Sequence, residues 1–378
     1  MEADRALFFK NATRAVIKVG SNVLTAAGGL NTEVISSLSR QICELSEKGL
    51  EVLLVSSGAM ASGQKKIGLK RRPDEIPKRQ AVAAVGQAGL ILCYEKAFEA
   101  NDRKVAQILL TSDDLSVSRR RYLNARNTLH TLLAWKVVPI INENDTVVVE
   151  EIKFGDNDTL SALIALMMGA DILVNLTDIN GLYTGDPRTD PEARLVPEVR
   201  SINREIEKTA SDMPGVLGTG GMLSKIRAAR KTSVAGIPMV IANGLEDDIL
   251  IKLFKGEALG TLFLPSEHRL SNRKSWIGFT LKPKGALLVD EGAARAIIEK
   301  GKSLLPGGIT EVEGDFGVGS PVHVKDLQGR MLAAGLVNYG STEIRKIKGC
   351  RTGQIGEKLG EKPYDEVIHR NNMTVMET

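Results

Sequence analysis

The chain contains very little cysteine or histidine, and each shortage argues against a class of chemistry. Its 378 residues include three cysteines, which are widely spaced and form no CxxC pair, so a disulfide framework or a zinc site is not expected. The four histidines are scattered without an HxxxH pattern, which disfavours zinc hydrolysis and serine–histidine catalysis. The chemistry of this protein is therefore expected from other side chains.

Long apolar runs and a strong charge imbalance are also missing. No apolar run reaches the roughly 18 to 20 residues that a membrane span needs, and the first ten residues lack the apolar core of a secretory signal. The 50 basic and 46 acidic residues give a net charge of +4, which is too small to indicate nucleic-acid binding by the whole chain. We expect a cytoplasmic protein with no membrane segment and about two or three domains.

Strand and helix patterns alternate along the first two-thirds of the chain. Runs rich in β-branched residues, such as 15–19 and 51–55, are separated by apolar residues at helical spacing. Longer helices are predicted over 77–100 and from Asp158, a residue that also suits a helix cap. Continuous apolar strands between helices predict an α/β fold, with a mainly parallel sheet sandwiched by helices.

The sequence pattern changes near residue 265. A polar stretch without apolar periodicity is followed by short strand-like runs separated by glycine-rich turns. We predict a catalytic domain over 1–265, a linker over 266–277, a small, mostly β domain over 278–358 and a C-terminal tail over 359–378.

Two glycine-containing loops after predicted strands suit phosphate groups. Lys18 lies near a strand end and is followed by Gly20 and Ser21, which places a cation beside free backbone N–H groups. The run 218–225 enters a predicted helix with Lys225 in its first turn, where a transferring phosphoryl group would be stabilised. The alternative for the first loop is a tight turn with a solvated lysine. Walker A and Rossmann glycine loops are rejected, because no such pattern stands in a strand–loop–helix setting.

Two amide and carboxylate clusters, at 142–145 and 155–158, flank a predicted hairpin over 146–154. Asparagine donates and aspartate accepts hydrogen bonds, so these clusters suit the ammonium and carboxylate groups of an amino acid. A loop of small residues over 56–63 lets a ligand approach the backbone. The alternatives are helix capping by the clusters and a loop that is small for packing alone.

These loops, in this order, resemble the amino-acid kinase family. The resemblance rests on IKVGS at 17–21, VSSGAM at 55–60, AAVGQ at 83–87, LNAR at 123–126, INENDTV at 141–147, KFGDND at 153–158, LTDINGLYTGDPR at 176–188 and LGTGGMLSK at 217–225. The INEND and GDND motifs are typical of the branch that acts on glutamate. The domain over 278–358 resembles a PUA domain, a small β-barrel best known from RNA-modifying enzymes.

The resemblance implies ATP-dependent phosphorylation of the γ-carboxylate of L-glutamate, which gives L-glutamyl 5-phosphate and ADP in the first step of proline biosynthesis. Mg²⁺ is expected to arrive with ATP, without a protein metal site. The acceptor carboxyl group has a pKa of about 4.3 and is an anion at neutral pH, so no general base is required. The alternatives are a family member acting on acetylglutamate or aspartate, and an RNA-binding protein acting through the PUA-like domain.

The resemblance also assigns roles to residues at matching positions. Lys18 and Lys225 are expected to be catalytic, with Asp158 organising both lysines. Glutamate is expected to bind at Ser57, Asn142, Asp145, Asp156 and Asn157. The nucleotide is expected at Lys18, Thr177, Asp178, Thr219, Gly220, Gly221, Met222, Leu223, Ser224 and Lys225.

Several partners follow from the same resemblance. Proline is expected as a feedback inhibitor of the glutamate-dependent reaction. A γ-glutamyl phosphate reductase is expected as functional partner, because the acyl phosphate product is prone to hydrolysis or cyclisation. A homo-oligomer, either a dimer or a tetramer, is expected. RNA binding is disfavoured, because the PUA-like domain has few aromatic residues and its basic residues are typical of a solvated face.

Overall fold

The computed structural model describes residues 5–26, 29–116, 119–147, 156–211, 221–266 and 281–376. The chain divides into two units, Met1–Arg269 and Leu270–Thr378. Most of the predicted hairpin over 146–154 and most of the predicted linker over 266–277 lie outside the described residues.

The first unit is built around a mainly parallel sheet. Its strands are β1 (Arg14–Val19), β2 (Thr25–Ala26), β3 (Gly29–Leu30), β4 (Glu51–Ser56), β5 (Val105–Leu110), β6 (Val138–Glu143), β7 (Ile172–Thr177), β8 (Glu198–Val199), β9 (Met239–Asn243) and β10 (Thr261–Phe263). The order across the large sheet is β5–β6–β4–β1–β7–β9–β10–β8, and β2 pairs with β3 separately. Neighbours in the large sheet are parallel apart from β9 and β10. The predicted fold class is therefore confirmed.

Helices cover both faces of this sheet. They are α1 (Arg5–Lys10), α2 (Ser21–Leu24), α3 (Thr32–Glu47), α4 (Ala59–Ile67), α5 (Ile76–Glu99), α6 (Ser112–Ser116), α7 (Arg119–Ala134), α8 (Asp156–Met168), α9 (Arg204–Ser211), α10 (Met222–Val234) and α11 (Ile249–Lys255). Side chains alternate along β1, so Ile17 and Val19 join the core that contains α3 and α5, while Val16 joins the core that contains α8 and α10. The same alternation leaves Lys18 on the α8 side.

The helix α4 occupies a segment for which the small residues predict a loop. The backbones of α4 and α5 touch at two glycines. A Cβ atom on Gly63 would lie 1.8 Å from the carbonyl oxygen of Val82, and one on Gly86 would lie 1.7 Å from that of Ala59. Several of the small residues over 56–63 therefore serve helix packing, while Ser57, before α4, stays at the end of the sheet.

Among the described residues, α5 is the helix that is long and apolar enough to cross a membrane by length and composition. One helix of this kind is weak evidence for a membrane span, because a buried core helix passes the same test, so the expectation of no membrane segment is not overturned. Leu90, Tyr94 and Phe98 on one side of α5 are buried in the core of the first unit. Burial of one face is the usual pattern of a core helix.

The second unit, described over 281–376, contains a separate, mostly antiparallel sheet. Its strands are β11 (Gly285–Val289), β12 (Ile309–Gly314), β13 (Pro321–Lys325), β14 (Met331–Leu336) and β15 (Met373–Val375), in the order β12–β11–β13–β14–β15. Its α-helices within that range span Glu291–Ile298, Ser341–Ile347 and Ile355–Leu359.

The C-terminal residues differ from the tail that the sequence predicts over 359–378. Strand β15 pairs with β14 and forms one edge of the second sheet. Val367 and Ile368 are fully buried, and Met373 packs into the same core. The apolar residues that fill this core are too few and too far apart to show a strand period in the sequence.

Candidate active site

Polar side chains gather at the carboxyl ends of the four central strands of the first unit. Lys18 is the penultimate residue of β1, Ser57 follows β4, Asn142 is the penultimate residue of β6, and Thr177 ends β7. The helix α8 packs against all four of these strands. Ligands of parallel α/β sheets bind outside the carboxyl ends of the strands, so this edge is the candidate active site.

Asp158 is the centre of a buried charged cluster. Its Oδ1 lies 2.7 Å from Lys18 Nζ, and its Oδ2 lies 3.3 Å from Lys225 Nζ. Asp158 is 1% exposed, and the two lysines are 5% and 6% exposed. Asp158 therefore lies in the first turn of α8 and holds two cations, from β1 and α10, instead of capping the helix.

The electrostatics of this cluster favour a bound anion. Burial alone would raise the pKa of Asp158, but the charges of Lys18 and Lys225 outweigh burial and hold that pKa well below its usual range. Burial lowers the pKa of Lys18, and the attraction of Asp158 only partly opposes this effect. Two ammonium groups share one carboxylate, so the cluster has a positive surplus that suits phosphate oxygens.

Two neutral donors complete the surroundings of the Asp158 carboxylate. Asn175 Nδ2 donates to Oδ1 at 2.9 Å, and Ser224 Oγ donates to Oδ2. Ser224 is among the predicted nucleotide residues, whereas Asn175 is not predicted from the sequence at all. The signal that was available is a single amide within the apolar, fully buried run of β7.

Asn157, the residue before Asp158, faces a different group of side chains. Its Nδ2 donates to Ser57 Oγ at 2.9 Å and to Asn142 Oδ1 at 3.0 Å. Its Oδ1 is buried and has no hydrogen-bond partner within the described residues. A buried acceptor without a donor is unfavourable, so this oxygen suits a ligand that donates, such as an ammonium group.

A row of amides extends from Asn142 toward the edge of the sheet. Asn142 Nδ2 lies 3.4 Å from Gln87 Oε1, which also accepts from Gln107 Nε2 at 3.1 Å. Asn142 Oδ1 accepts from the backbone N–H of Glu143 at 2.8 Å. Gln87 ends the AAVGQ motif, so its place beside Asn142 ties α5 to this half of the site.

The remaining predicted acceptor residues are Asp145 and Asp156. Asp145 is half-buried beyond the end of β6, close enough to Arg72 that its charge raises the arginine pKa against the larger lowering by burial. The sequence analysis does not single out Arg72, which lies in a polar stretch between α4 and α5. Asp156 is the first residue of α8, and its side chain lies outside the described part of the chain.

Thr177 and Asp178 form a polar turn at the end of β7. Thr177 Oγ1 donates to Asp178 Oδ1 at 3.1 Å, and Asn22 Nδ2 donates to Asp178 Oδ2 at 2.8 Å. At Gly20, an added Cβ would lie 3.7 Å from Lys18 Nζ. The tighter contact of that Cβ would be with the carbonyl oxygen of Leu176, at 3.3 Å.

The first turn of α10 approaches the charged cluster through Lys225. The helix follows Gly221 and has no side-chain cap among the described residues, so its first N–H groups suit an anion. The described nucleotide residues of this segment are Gly221, Met222, Leu223, Ser224 and Lys225. The predicted Thr219 and Gly220 lie outside the described residues.

Comparisons with known proteins agree with both units. Residues 13–243 match the amino acid kinase family, and residues 285–359 match the PUA domain. A glutamate 5-kinase of Syntrophus aciditrophicus is 50% identical over 376 residues, which cover 100% of this chain and 97% of that protein. The glutamate 5-kinase of Geobacter sulfurreducens is 50% identical over 98% of this chain and 100% of its own length. That of Thermoanaerobacter sp. is 51% identical over 96% of this chain and 98% of its own length.

Proposed function

The chain belongs to the amino acid kinase family, and we propose that it transfers the γ-phosphoryl group of ATP to the γ-carboxylate of L-glutamate. The products are L-glutamyl 5-phosphate and ADP, and the reaction is the first step of proline biosynthesis. One observation carries this proposal. The neighbouring residues Asn157 and Asp158 face two chemically different groups, a set of neutral amides and a pair of lysines.

The lysine pair provides the phosphoryl half of the proposed site. Lys18 and Lys225 bind the phosphates of ATP, and Asp158 holds their ammonium groups in fixed positions. A transferring phosphoryl group spreads negative charge over its oxygens, so fixed cations stabilise it. Thr177, Asp178 and the first turn of α10 complete the nucleotide site. The nucleotide carries Mg²⁺, which supplies further charge neutralisation when bound.

The amides provide the acceptor half. The residues proposed to bind glutamate are Ser57, Asn142, Asp145, Asp156 and Asn157. Asn157 Oδ1, which has no hydrogen-bond partner in the described part of the chain, suits the glutamate ammonium group, as does the carboxylate of Asp145. The glutamate γ-carboxylate is ionised at neutral pH, so it attacks the phosphoryl group without a general base.

An acceptor screen tests this proposal. Initial rates of ADP release would be measured with L-glutamate, N-acetylglutamate and L-aspartate, with acceptor-free ATP turnover as control. We expect glutamate to be preferred by about 10²-fold or more over N-acetylglutamate, because the acetylated nitrogen no longer offers an ammonium group to Asn157 Oδ1. A preference for N-acetylglutamate or aspartate would contradict the proposed acceptor.

We further propose the cellular setting that accompanies this reaction. Proline acts as feedback inhibitor, which initial rates with and without proline would detect. The acyl phosphate product is unstable in water, so the enzyme is coupled to a γ-glutamyl phosphate reductase in the cytoplasm. An absence of any effect of proline on the glutamate-dependent rate would contradict the inhibitor.

The outer face of α5 supports the proposal of a homo-oligomer. Its apolar stripe has heptad spacing and consists of Ala81, Val85, Ala88 and Leu92. Val85 is 42% and Leu92 48% exposed, and Lys78 and Glu95 continue the same spacing at opposite ends. An antiparallel pairing with a second copy would bury the stripe and place Lys78 beside Glu95 of that copy.

Light scattering after size-exclusion chromatography tests this pairing. We expect Lys78→Glu to weaken the oligomer, because it places two carboxylates together, and the double variant Lys78→Glu/Glu95→Lys to restore it. An unchanged mass for the single variant would contradict the pairing, whether the assembly is a dimer or a tetramer.

A further inference from the structure

Asn175 is an amide in the middle of a strand that is otherwise built for apolar packing. All six residues of β7 are buried, and Asn175 is 0% exposed. The register of the two central strands places Asn175 directly opposite Lys18. Its neighbour on the other side, in β9, is the apolar Ile241.

Within the described residues, the side chain of Asn175 donates a hydrogen bond through Nδ2 and accepts none at Oδ1. The carboxylate of Asp158 remains ionised because the two lysines hold its pKa low, and an ionised carboxylate only accepts hydrogen bonds. The amide must therefore turn its Nδ2 toward Asp158, where the distance to Oδ1 is 2.9 Å. Its own Oδ1 then points away and has no partner within the described residues.

This arrangement is unfavourable for stability. A buried carbonyl oxygen without a donor loses its hydration without compensation. Leucine has a similar size and would fill an interior strand position without that penalty. Packing alone thus gives no reason for an amide at residue 175, whereas its bond to Asp158 does.

The four contacts of Asp158 show what that bond does. Each carboxylate oxygen receives one ammonium group and one neutral donor. Oδ1 faces Lys18 and Asn175, and Oδ2 faces Lys225 and Ser224. Without the neutral donor, Oδ1 would be held by Lys18 alone, while Oδ2 would keep both Lys225 and Ser224, so the carboxylate would be held less evenly between the two lysines.

We propose that Asn175 is a positioning residue, which fixes the Asp158 carboxylate so that Lys18 and Lys225 are held at the same time, at the expense of stability. The inference rests on the proposed phosphoryl transfer, in which both lysines act on the same group. Asn175 acts through Asp158 and has no role in binding glutamate.

The variant Asn175→Leu tests this inference. We expect its melting temperature to stay equal to that of the wild type or rise, because the unpaired oxygen is removed. We expect kcat to fall about tenfold with KM for glutamate unchanged, since a hydrogen bond to a charged group contributes about tenfold or more when it acts only in the transition state. Ile241→Leu, a packing change in the neighbouring strand, is the matched control and should leave kcat unchanged.

A second variant and the wild type distinguish failure of the inference about Asn175 from failure of the proposed function. Asn175→Thr retains a donor in a β-branched residue, and we expect its kcat to lie between those of the wild type and the leucine variant. A wild type without glutamate-dependent turnover would reject the proposed function itself. With an active wild type, the inference is overturned by normal turnover in Asn175→Leu, or by a leucine variant that loses stability, including one that does not fold.

Discussion

Asn157 and Asp158 are consecutive residues of α8, yet their side chains belong to two different chemical environments. Consecutive residues of an α-helix point about 100° apart, so one step along the helix separates the two halves of the site. Asp158 lies among cations, which satisfy its charge within the protein. Asn157 lies among neutral groups and keeps a buried oxygen without a partner in the described residues.

The difference between the two environments indicates how the phosphates of ATP and the carboxylate of glutamate can be brought together. A buried charge is tolerated when it is paired, so the phosphoryl half is organised before any ligand binds. In the acceptor half, the row of amides is neutral and hydrogen-bonded, the carboxylates of Asp145 and Asp156 are assigned beside it, and Asn157 Oδ1 is left as an acceptor for the ligand to satisfy. The neutral amides do not repel the carboxylate of glutamate. Asn157 Oδ1 can accept a hydrogen bond from its ammonium group.

The largest effect that would distinguish the phosphoryl half from the acceptor half is expected from Lys225→Ala. Removal of a fixed cation from the transferring group should reduce kcat by about 10³-fold, with a much smaller change in KM for glutamate. Arg227→Ala removes an exposed cation from the same helix and is the matched control. Near-normal turnover in the Lys225 variant would remove that lysine from the phosphoryl half.

The acceptor half is tested by Asp145→Ala. Loss of its carboxylate should raise KM for glutamate by about 10- to 100-fold, because a charged hydrogen-bond partner of the ammonium group is gone. Each titration of glutamate would be paired with a titration of ATP at saturating glutamate. Equal rises in both KM values would contradict the assignment of Asp145 to glutamate.

A smaller effect is expected from Gln87→Leu. This change removes the acceptor shared by Asn142 and Gln107, so Asn142 loses one of the contacts that orient it toward Asn157. KM for glutamate should rise about threefold to tenfold, corresponding to roughly one hydrogen bond, while kcat stays close to that of the wild type. A fall in kcat alone would link the amides to the phosphoryl half and weaken the contrast.

The pH dependence of kcat/KM gives the smallest expected effect. Burial lowers the pKa of Lys18, so this lysine loses its proton as pH rises, before an ordinary lysine would. The ratio kcat/KM reports the free enzyme, so kcat/KM for ATP should decline on the alkaline side at a pH below about 10.4, the usual lysine value. A ratio that stays constant up to that pH would show that the ammonium charge of Lys18 is not needed in the phosphoryl half.

Much of this site can be predicted from the sequence, because its loops follow recognisable strands. Lys18 and Asn142 stand at strand ends, where parallel strands bring them together, and Asn157 and Lys225 reach the same place from the first turns of α8 and α10. Their individual roles stay predictions, which the kinetics of the variants test.

The rest depends on contacts between distant segments. In the sequence, Asn175 is a single amide in an apolar strand and nothing indicates a role for it. Only the register of β1 and β7 shows that it lies opposite Lys18. Arg72 lies in a polar stretch without a helix or strand pattern, so the sequence does not predict that it lies near Asp145. The helix α4 is not predicted from the sequence, because small residues that allow close helix packing, such as Gly63, are also typical of loops.

Parallel kinetics of Asn157→Ala and Asp158→Asn test the division of the site most directly. Both variants would be measured over full ranges of glutamate and ATP, beside the wild type. The account predicts that Asn157→Ala mainly raises KM for glutamate and that Asp158→Asn mainly lowers kcat, by about 10²-fold or more. The same change in the same kinetic constant for both variants would contradict the account.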